Sequence, residues 1–292
     1  MNQHAARTLP VAVAFAMVAM GIQPDAAMAQ KRTATDRVRI AYVPPKDPEH
    51  QLIYERLREN RALERIRAYL SPFRLPRTLT LKTESCDGVA NAWYSDGTVQ
   101  VCYEYITEAI RNAPKETTSE GVTSEAAIIG PIVEVFLHEI AHALFELLHI
   151  PVLGREEDAA DRLAAYVLLQ MGTEEARQLI IGVAYMYAQE AKQQSAKLQD
   201  FADSHGLPAQ RFFNLLCMAY GGHPKLFADV VEKQVLPKQR AEGCEDEYRQ
   251  TVFAFETLIV PHMHKAKRAR VRKKIRRSKW LRPWKPLDRP GR

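Results

Sequence analysis

One apolar stretch that contains three polar residues limits what this chain can fold into. The segment VFLHEIAHALFELLH, residues 135–149, carries His138, Glu139 and His142 in the order H-E-x-x-H. A segment this apolar belongs in a protein core, and burying His and Glu there is costly unless a metal ion or hydrogen-bond partners compensate. The fold must therefore supply partners for these three side chains.

The spacing of the two histidines indicates a metal site. Four residues of an α-helix advance about 400°, so His138 and His142 lie on one face, about 6 Å apart along the axis. Two imidazoles in this arrangement can bind one metal ion, and the motif is typical of zinc. Glu139 is turned away from the ligands and suits the role of general base. The alternative is a core helix whose histidines have hydrogen-bond partners.

A catalytic zinc ion needs a third protein ligand and one open coordination position. The next predicted helix, GREEDAADRLAAY, supplies Glu157, with Asp161 four residues later on the same face. We expect Glu157 to be the third ligand, and Asp161 to accept the second ring N–H of a zinc-bound histidine. Glu156 and Asp158 are rival ligands, and acids also suit the first turn of a helix without any metal.

The rest of the sequence divides into a mixed first third and a helical remainder. DRVRIAYVPP and RTLTLKT are strand-like, residues 48–71 have a helical pattern, and VANAWYSDGTVQVCYEY is typical of a hairpin that turns at Asp96-Gly97. Residues 114–124 have the composition of a loop. Further helices are predicted at 125–149, 155–171, 174–200, 208–221, 224–234 and 245–260. We therefore predict an α+β fold, with a small mixed-sheet lobe to about residue 113, edged by the β-hairpin, and a mainly helical half from about residue 125.

The first 29 residues have the pattern of an export signal. Arg7 precedes an apolar run from Leu9 to Ile22, and Ala27-Met28-Ala29 is a small-x-small cleavage site. The mature chain would begin at Gln30, and an uncleaved anchor is the alternative. The predicted location is therefore periplasmic or extracellular.

The four cysteines fit the same compartment, because an even number favours two disulfides in an oxidising environment. Three pairings are possible, and the pairs of sequence neighbours, Cys86 with Cys102 and Cys217 with Cys244, are favoured. If Asp96-Gly97 forms a two-residue turn, Cys102 lies opposite Asn91, so Cys86 must bend back to reach it.

The overall charge of +6 conceals a basic end. From His262 onward there are 14 Lys or Arg and one acid, so this segment is +13 and the rest of the chain is −7. We predict a basic, flexible tail at residues 262–292, following a domain at residues 30–261. Such a tail suits an anionic surface, either a membrane or the cell envelope. Nucleic acid is not the expected partner, and the sequence predicts no oligomeric state.

Several motifs resemble those of thermolysin-like peptidases. The H-E-x-x-H motif at 138–142, followed by E-x-x-x-D at 157–161, resembles the gluzincin arrangement of these enzymes. NAWY, followed by a polar turn and a strand, resembles the edge strand that holds their substrate backbone. The resemblance implies a zincin-like fold in which Asn91 and Ala92 bind the substrate by strand addition.

A donor is also needed to stabilise the oxyanion of the tetrahedral intermediate. His205, in the segment ADSHG with Asp203 nearby, resembles the histidine that has this role in thermolysin-like enzymes. Other candidate donors are Arg211, Tyr185, Tyr187 and Tyr220.

Over most of residues 36–260 the chain also resembles a family of exported bacterial proteins regarded as metallopeptidases, through GREEDAAD and QRFFNLLC. The gap between His142 and Glu157 is shorter than in thermolysin, and the basic tail lies outside both resemblances. The expected function is zinc-dependent hydrolysis of peptide bonds in peptides or proteins, with Glu139 passing a proton from the zinc-bound water to the leaving amine. The alternative is a noncatalytic zinc-binding envelope protein that attaches to anionic surfaces through the tail.

Overall fold

The computed structural model describes residues 37–277 and 279–281. The predicted export signal lies outside these residues. The described strands are β1 (Val38–Tyr42), β2 (Leu79–Glu84), β3 (Ala92–Ser95) and β4 (Thr98–Cys102). The described helices are α1 (Gln51–Glu59), α2 (Ala62–Leu70), α3 (Tyr103–Asn112), α4 (Ser124–Leu148), α5 (Glu156–Leu169), α6 (Thr173–Gln193), α7 (Pro208–Gly222), α8 (Ala228–Glu232), α9 (Lys238–Ala241), α10 (Cys244–Ala254) and α11 (Lys265–Ile275).

The four strands form one mixed sheet in the order β1-β2-β4-β3. β1 and β4 run parallel to β2, whereas β3 runs antiparallel to β4. Asp96 and Gly97 connect β3 to β4 with φ angles of 48° and 74°. Positive φ at both positions is what a two-residue turn of type I′ requires. The predicted hairpin is confirmed, and β3 lies at an edge of the sheet.

The helix predicted at residues 48–71 is in fact two helices. Arg61 adopts a left-handed conformation with φ of 51° between α1 and α2. The backbone N–H and the side-chain amide of Asn60 both donate to the carbonyl of Arg56, at 3.0 and 2.8 Å, and so close the last turn of α1. An apolar periodicity can continue through such a break, which is why it was not predicted.

The strand-like interpretation of VCYEY was also wrong beyond Cys102, because α3 begins at Tyr103. Tyr103, Ile106 and Ala109 recur at helical spacing and are buried. The Tyr103 hydroxyl donates to the carbonyl of Val43 at 2.7 Å, which attaches the start of α3 to the end of β1. Aromatic and β-branched residues favour strands, but here such residues form the buried face of a helix.

Both favoured disulfides are present, with Cα–Cα distances of 5.6 Å for Cys86–Cys102 and 4.9 Å for Cys217–Cys244. The Cys102 N–H donates to the carbonyl of Asn91, as the two-residue turn predicts. Cys86 bends back as expected, and its N–H donates to the carboxylate of Glu104 at 2.8 Å. Two disulfides are compatible with an exported protein.

In the helical half, α4, α5 and α7 agree with their predicted ranges to within two residues. The helix predicted at 174–200 ends earlier, at Gln193, because the polar residues that follow offer few apolar side chains to bury. The helix predicted at 224–234 is reduced to α8. The one predicted at 245–260 is α10 followed by a π-helical turn, Phe255–Ile259.

α4 is the central helix of this half and packs against α5, α6, β3 and β4. Its contact with α6 is close enough to require glycine. A Cβ on Gly182 would lie 1.9 Å from the carbonyl oxygen of Ala126, and one on Gly130 would lie 2.6 Å from that of Leu179. By length and hydropathy α4 could span a bilayer, but 94% of its most apolar window is buried within the protein. It is therefore placed as a core helix.

The described part of the basic segment packs against the rest of the protein. Residues 265–275 form α11, in which Val271 is buried. Trp280 is 5% exposed, and its indole N–H donates to the hydroxyl of Tyr69 at 2.6 Å. The Arg65 guanidinium lies 4.0 Å from the Trp280 ring centroid. These contacts attach the described part of the segment to the rest of the protein, and the flexibility of residues 262–292 stays a prediction.

Candidate metal centre

α4 carries the H-E-x-x-H motif on its buried surface. The helix begins after Thr123, whose side chain accepts a hydrogen bond from the Ala126 N–H, and it ends at His149 in a left-handed conformation. The His138 side chain is only 3% exposed and that of His142 is 14% exposed. Their rings are 4.8 Å apart, as the spacing of four residues predicts.

α5 brings Glu157 to the two histidines. Its Oε2 atom lies 3.1 Å from Nε2 of His138 and 3.2 Å from Nε2 of His142, while the two Nε2 atoms are 3.1 Å apart. These three atoms form a nearly equilateral triangle. Ligands about 2.0–2.1 Å from a tetrahedral zinc ion are separated by about 3.3 Å. The triangle therefore has the dimensions of one face of such a coordination shell.

The outer ring nitrogens explain why both Nε2 atoms face this point. Nδ1 of His138 lies 2.8 Å from Oδ1 of Asp161, and Nδ1 of His142 lies 2.7 Å from Oε1 of Glu156. A carboxylate at Nδ1 favours the tautomer that carries its proton there, which leaves the Nε2 lone pair free for a metal. Two lone pairs and a carboxylate oxygen would repel one another at these distances without a proton or cation between them.

Of the three acids at the start of α5, Glu157 lies on the ligand side and Glu156 on the outer side of His142. Glu156 was a rival ligand, and the structure instead places it at Nδ1, where it can orient the ring. Asp161 occupies the position expected of it, at Nδ1 of His138. Because His138 contacts Asp161 and His142 contacts Glu156, α4 and α5 run antiparallel.

His205 approaches the same point from the segment that precedes α7. Its Nε2 atom lies 2.9 Å from Oε2 of Glu157, and its ring is stacked at 5.9 Å from that of His138. The backbone N–H of His205 donates to Oδ1 of Asp203 at 2.9 Å. Its side chain is 45% exposed, more than those of His138, His142 and Glu157. His205 can therefore either donate a hydrogen bond at the open side or complete the shell as a further ligand.

Glu139 is 7% exposed and lies next to the ligands in α4. Burial raises the pKa of Glu139, while the neighbouring His138 and His142 oppose that rise. A raised carboxyl pKa is the direction that a general base working near neutral pH requires.

The pKa values of His138 and Glu157 reflect their pairing with neighbouring charged groups. Burial lowers the pKa of His138, but hydrogen bonds to Asp161 and Glu157 outweigh it and raise that pKa to about 10. Hydrogen bonds from His138, His142 and His205 hold the pKa of Glu157 well below its usual range. A protonated His138 thus faces the negatively charged Glu157 and Asp161 when no metal is bound. A metal ion would replace the proton on Nε2 of His138, since metal ligands must be deprotonated.

A polar network lies behind the histidines, and sequence reasoning missed its arrangement. Arg211 of α7 donates to both carboxylate oxygens of Asp161, at 2.8 and 2.7 Å. Its guanidinium lies 4.4 Å from the ring centroid of Tyr187, whose hydroxyl hydrogen-bonds Glu134 at 3.1 Å. Glu134 is 4% exposed and stands one turn before His138 in α4. We call Asp161, Arg211, Tyr187 and Glu134 the supporting network.

Two of the candidate oxyanion donors, Arg211 and Tyr187, have partners within the supporting network instead. Arg211 is committed to Asp161, and Tyr187 is buried against Glu134. The Tyr185 hydroxyl donates to the carbonyl of Asn112 at 3.3 Å. The i, i+4 spacing of Glu134 and His138 was the one signal in the sequence that could have drawn attention to Glu134.

The proposed substrate residues lie at the free edge of the sheet. The Asn91 carbonyl accepts from Cys102 at 3.1 Å, and hydrogen-bonded pairs alternate along an antiparallel ladder. The backbone groups of Ala92 therefore point away from β4, and its N–H is bonded to Oδ1 of Asn91 at 2.8 Å. β3 also packs against α4, so this edge and the histidine helix are neighbours.

Of three comparisons with known proteins, one found a match. No curated protein and no solved structure matches the chain. One family model, described as "Putative metallopeptidase", matches residues 42–259. This span is more than half of the chain and contains the H-E-x-x-H motif, Glu157, His205 and the supporting network. The chain belongs to this family, and the description of the family implies a bound metal ion.

Proposed function

We propose that this protein is an exported zinc peptidase of the gluzincin type, with His138, His142 and Glu157 as the metal ligands. The observation that supports the proposal is the triangle of their ligand atoms, with sides of 3.1–3.2 Å. Two nitrogens and one carboxylate oxygen are a common donor set for catalytic zinc. The export signal at residues 1–29, the disulfides and the zincin-like architecture are parts of the same proposal.

Zinc at this site would polarise the substrate carbonyl and make a water molecule acidic enough to react near neutral pH. Glu139 takes a proton from the attacking water as its oxygen bonds to the carbonyl carbon. The same carboxyl group then gives the proton to the amine nitrogen as the C–N bond breaks. The burial of Glu139 suits both steps, because a raised pKa lets one group accept and return a proton.

His205 serves as the donor to the oxyanion. It stands on the exposed side of the ligand triangle, and Asp203 holds its backbone. A hydrogen bond from such a donor strengthens as negative charge develops on the carbonyl oxygen, which lowers the barrier for attack. In the absence of substrate, Nε2 of His205 lies 2.9 Å from Oε2 of Glu157.

The substrate backbone would bind along β3. Ala92 faces the free edge of the sheet, where its N–H donates to Oδ1 of Asn91. A carbonyl group of the added peptide strand can take the place of this oxygen as the acceptor. Added strands gain affinity from main-chain hydrogen bonds and specificity from side-chain pockets.

The decisive experiment measures the metal content and peptidase activity of three forms of the full chain. The wild type should bind one zinc ion and cleave a mixed-sequence fluorogenic peptide library. Glu139→Gln should keep the zinc and lose at least about a hundredfold in rate, because only the proton transfer is removed. Glu157→Ala should lose both. A wild-type protein that takes up no metal from excess zinc would contradict the proposal.

A noncatalytic zinc protein is the second candidate, because the proximity of His205 to Glu157 is also what a closed, four-ligand structural site would show. His205→Ala separates the two. If His205 is the oxyanion donor, the variant keeps its zinc affinity and loses about 10²–10³-fold in kcat. If it is a fourth ligand, the variant binds zinc more weakly, and neither the variant nor the wild type cleaves peptides.

A further inference from the structure

A second candidate site lies on a different face of α4. Leu137, Ile140 and Leu144 of this helix line a cavity of about 360 Å³. Their spacing puts them on one stripe, turned away from the stripe of His138 and His142. Helices α2, α5, α10 and α11 supply the remaining walls, which are mainly apolar and include Leu163, Val252 and Ile275. The volume falls within the range of small-molecule pockets, about 300–1,000 Å³.

The mouth of this cavity is basic. A groove of about 1120 Å³ adjoins it, and seven Arg or Lys residues line this groove: Arg74, Lys265, Arg268, Arg272, Lys273, Arg276 and Arg277. Val260, Met263, Arg268 and Arg272 line both the cavity and the groove. An apolar interior therefore opens directly beside a cluster of positive charge.

The two arginines at the boundary are available to an anion. Within the described residues, Arg272 is exposed and has no ion pair. Arg268 has only a long contact with Glu256, 3.6 Å between Nη1 and Oε2, and both side chains are about half exposed. Because they are four residues apart in α11, Arg268 and Arg272 lie on the same face of that helix.

The π-helical turn Phe255–Ile259 shapes this entrance. Phe255 and Glu256 of the turn line the cavity, and the following residue, Val260, lies on the boundary with the groove. π-Helical turns are rare and are frequently found at functional sites. The irregular backbone is therefore a second feature that marks this face.

We propose that the cavity and the boundary arginines together bind a free long-chain fatty acid. The alkyl chain occupies the apolar space between α4, α5 and α10, and the carboxylate lies on Arg268 and Arg272. A guanidinium fork matches a carboxylate in geometry and charge. A single chain suits a cavity of this size and enclosure, whereas a flat membrane would need an exposed apolar surface. This site is independent of the metal centre.

Titration calorimetry of the purified full chain with dodecanoate, below its micelle concentration, tests the proposal. We expect saturable binding, with affinity rising about fourfold per methylene from octanoate to decanoate as apolar surface is buried. Arg268→Gln/Arg272→Gln should weaken dodecanoate binding about tenfold or more, because charge-assisted hydrogen bonds are lost. Dodecanol, which has no charge, should bind both proteins equally.

The matched control is Arg270→Gln/Lys274→Gln. It removes two charges with the same spacing from the same helix, but neither residue lines the cavity or the groove. Dodecanoate affinity should stay within about twofold of the wild type, as screened surface charges contribute little. Equal losses in the two double variants would overturn the proposal, since they would indicate a nonspecific charge effect.

A variant that fills the cavity provides the second test. Val252→Phe places a ring among the lining side chains and should abolish binding of dodecanoate and dodecanol alike, with circular dichroism confirming that the fold is retained. Unchanged binding would place the ligand elsewhere. If the wild type binds anionic phospholipid vesicles but not dodecanoate, the basic groove is a membrane surface and the proposal fails. No binding of either probe also overturns it.

Discussion

The metal centre and the supporting network lie side by side but have opposite requirements. Reaction at His138, His142 and Glu157 needs an opening, and exposure rises from 3% at His138 to 20% at Glu157. Within the supporting network, Glu134 and Tyr187 are only 4% and 2% exposed, whereas Asp161 and Arg211, nearer the ligands, are 20% and 18% exposed. The difference teaches that the ligands provide the chemistry, whereas the network behind them holds the position of His138 through Asp161.

The largest expected effect comes from breaking the network. Arg211→Met removes the cation that compensates Asp161 and Glu134 while keeping most of the side-chain volume. Leaving buried carboxylates without their partner should lower the free energy of unfolding by about 3 kcal/mol. Urea denaturation of the metal-free protein measures this loss without the contribution of metal binding.

Arg162→Met is the control, because Arg162 pairs with Glu247 at 3.0 Å where both side chains are more exposed. A partly exposed pair should contribute no more than about 1 kcal/mol. Similar losses for the two variants would mean that the supporting network is no more important to stability than a surface ion pair.

This contrast also separates what could be predicted from the sequence. His138 and His142, and likewise Glu157 and Asp161, are four residues apart, and helix geometry alone puts each pair on one face. Arg211 is 50 residues from Asp161, and its position depends on how α7 packs against α5 and α6. No periodicity encodes such a contact, so Arg211 could be named as a polar candidate but not assigned its partner.

The same reasoning applies to the fold. The hairpin was predictable because Asp96-Gly97 suits the two positive φ angles of its turn. The break at Arg61 and the start of α3 at Tyr103 were not, because neither Arg61 nor Tyr103 is of a residue type typical of a break. Arginine rarely adopts a left-handed conformation, and tyrosine favours strands as readily as helices.

A smaller effect should distinguish the two carboxylates that orient the histidines. Asp161→Asn weakens the acceptor at Nδ1 of His138 and also loses the charge that pairs with Arg211. Zinc affinity, measured by competition with a chelator, should fall about 10–100-fold. Glu156→Gln makes the equivalent change at His142, but its side chain is 53% exposed, and we expect a loss below about tenfold. Equal losses would show that the supporting network does not strengthen the Asp161 contact.

The smallest predicted effect is a change in the pH dependence of stability at the edge of the network. Burial raises the pKa of Glu190, in α6, from 4.5 to about 7, while Arg211 opposes that rise. The folded protein therefore binds this proton more tightly than the unfolded chain. Stability from this group is fully present below pH 4.5 and is lost as pH rises toward 7. Glu190→Gln should remove that loss.

In metal-free protein, the free energy of unfolding of Glu190→Gln should therefore exceed that of the wild type by about 1–2 kcal/mol at pH 8, after allowance for the partial exposure of the side chain. The difference should shrink as pH falls toward 4.5. Glu174→Gln, at the exposed start of the same helix, is the control for removal of a carboxylate from α6. A difference for Glu190→Gln that does not change with pH would mean that solvent reaches Glu190 freely. The buried region around Glu134 and Tyr187 would then not extend to Glu190, because burial does not raise the pKa of a carboxylate that is in contact with water.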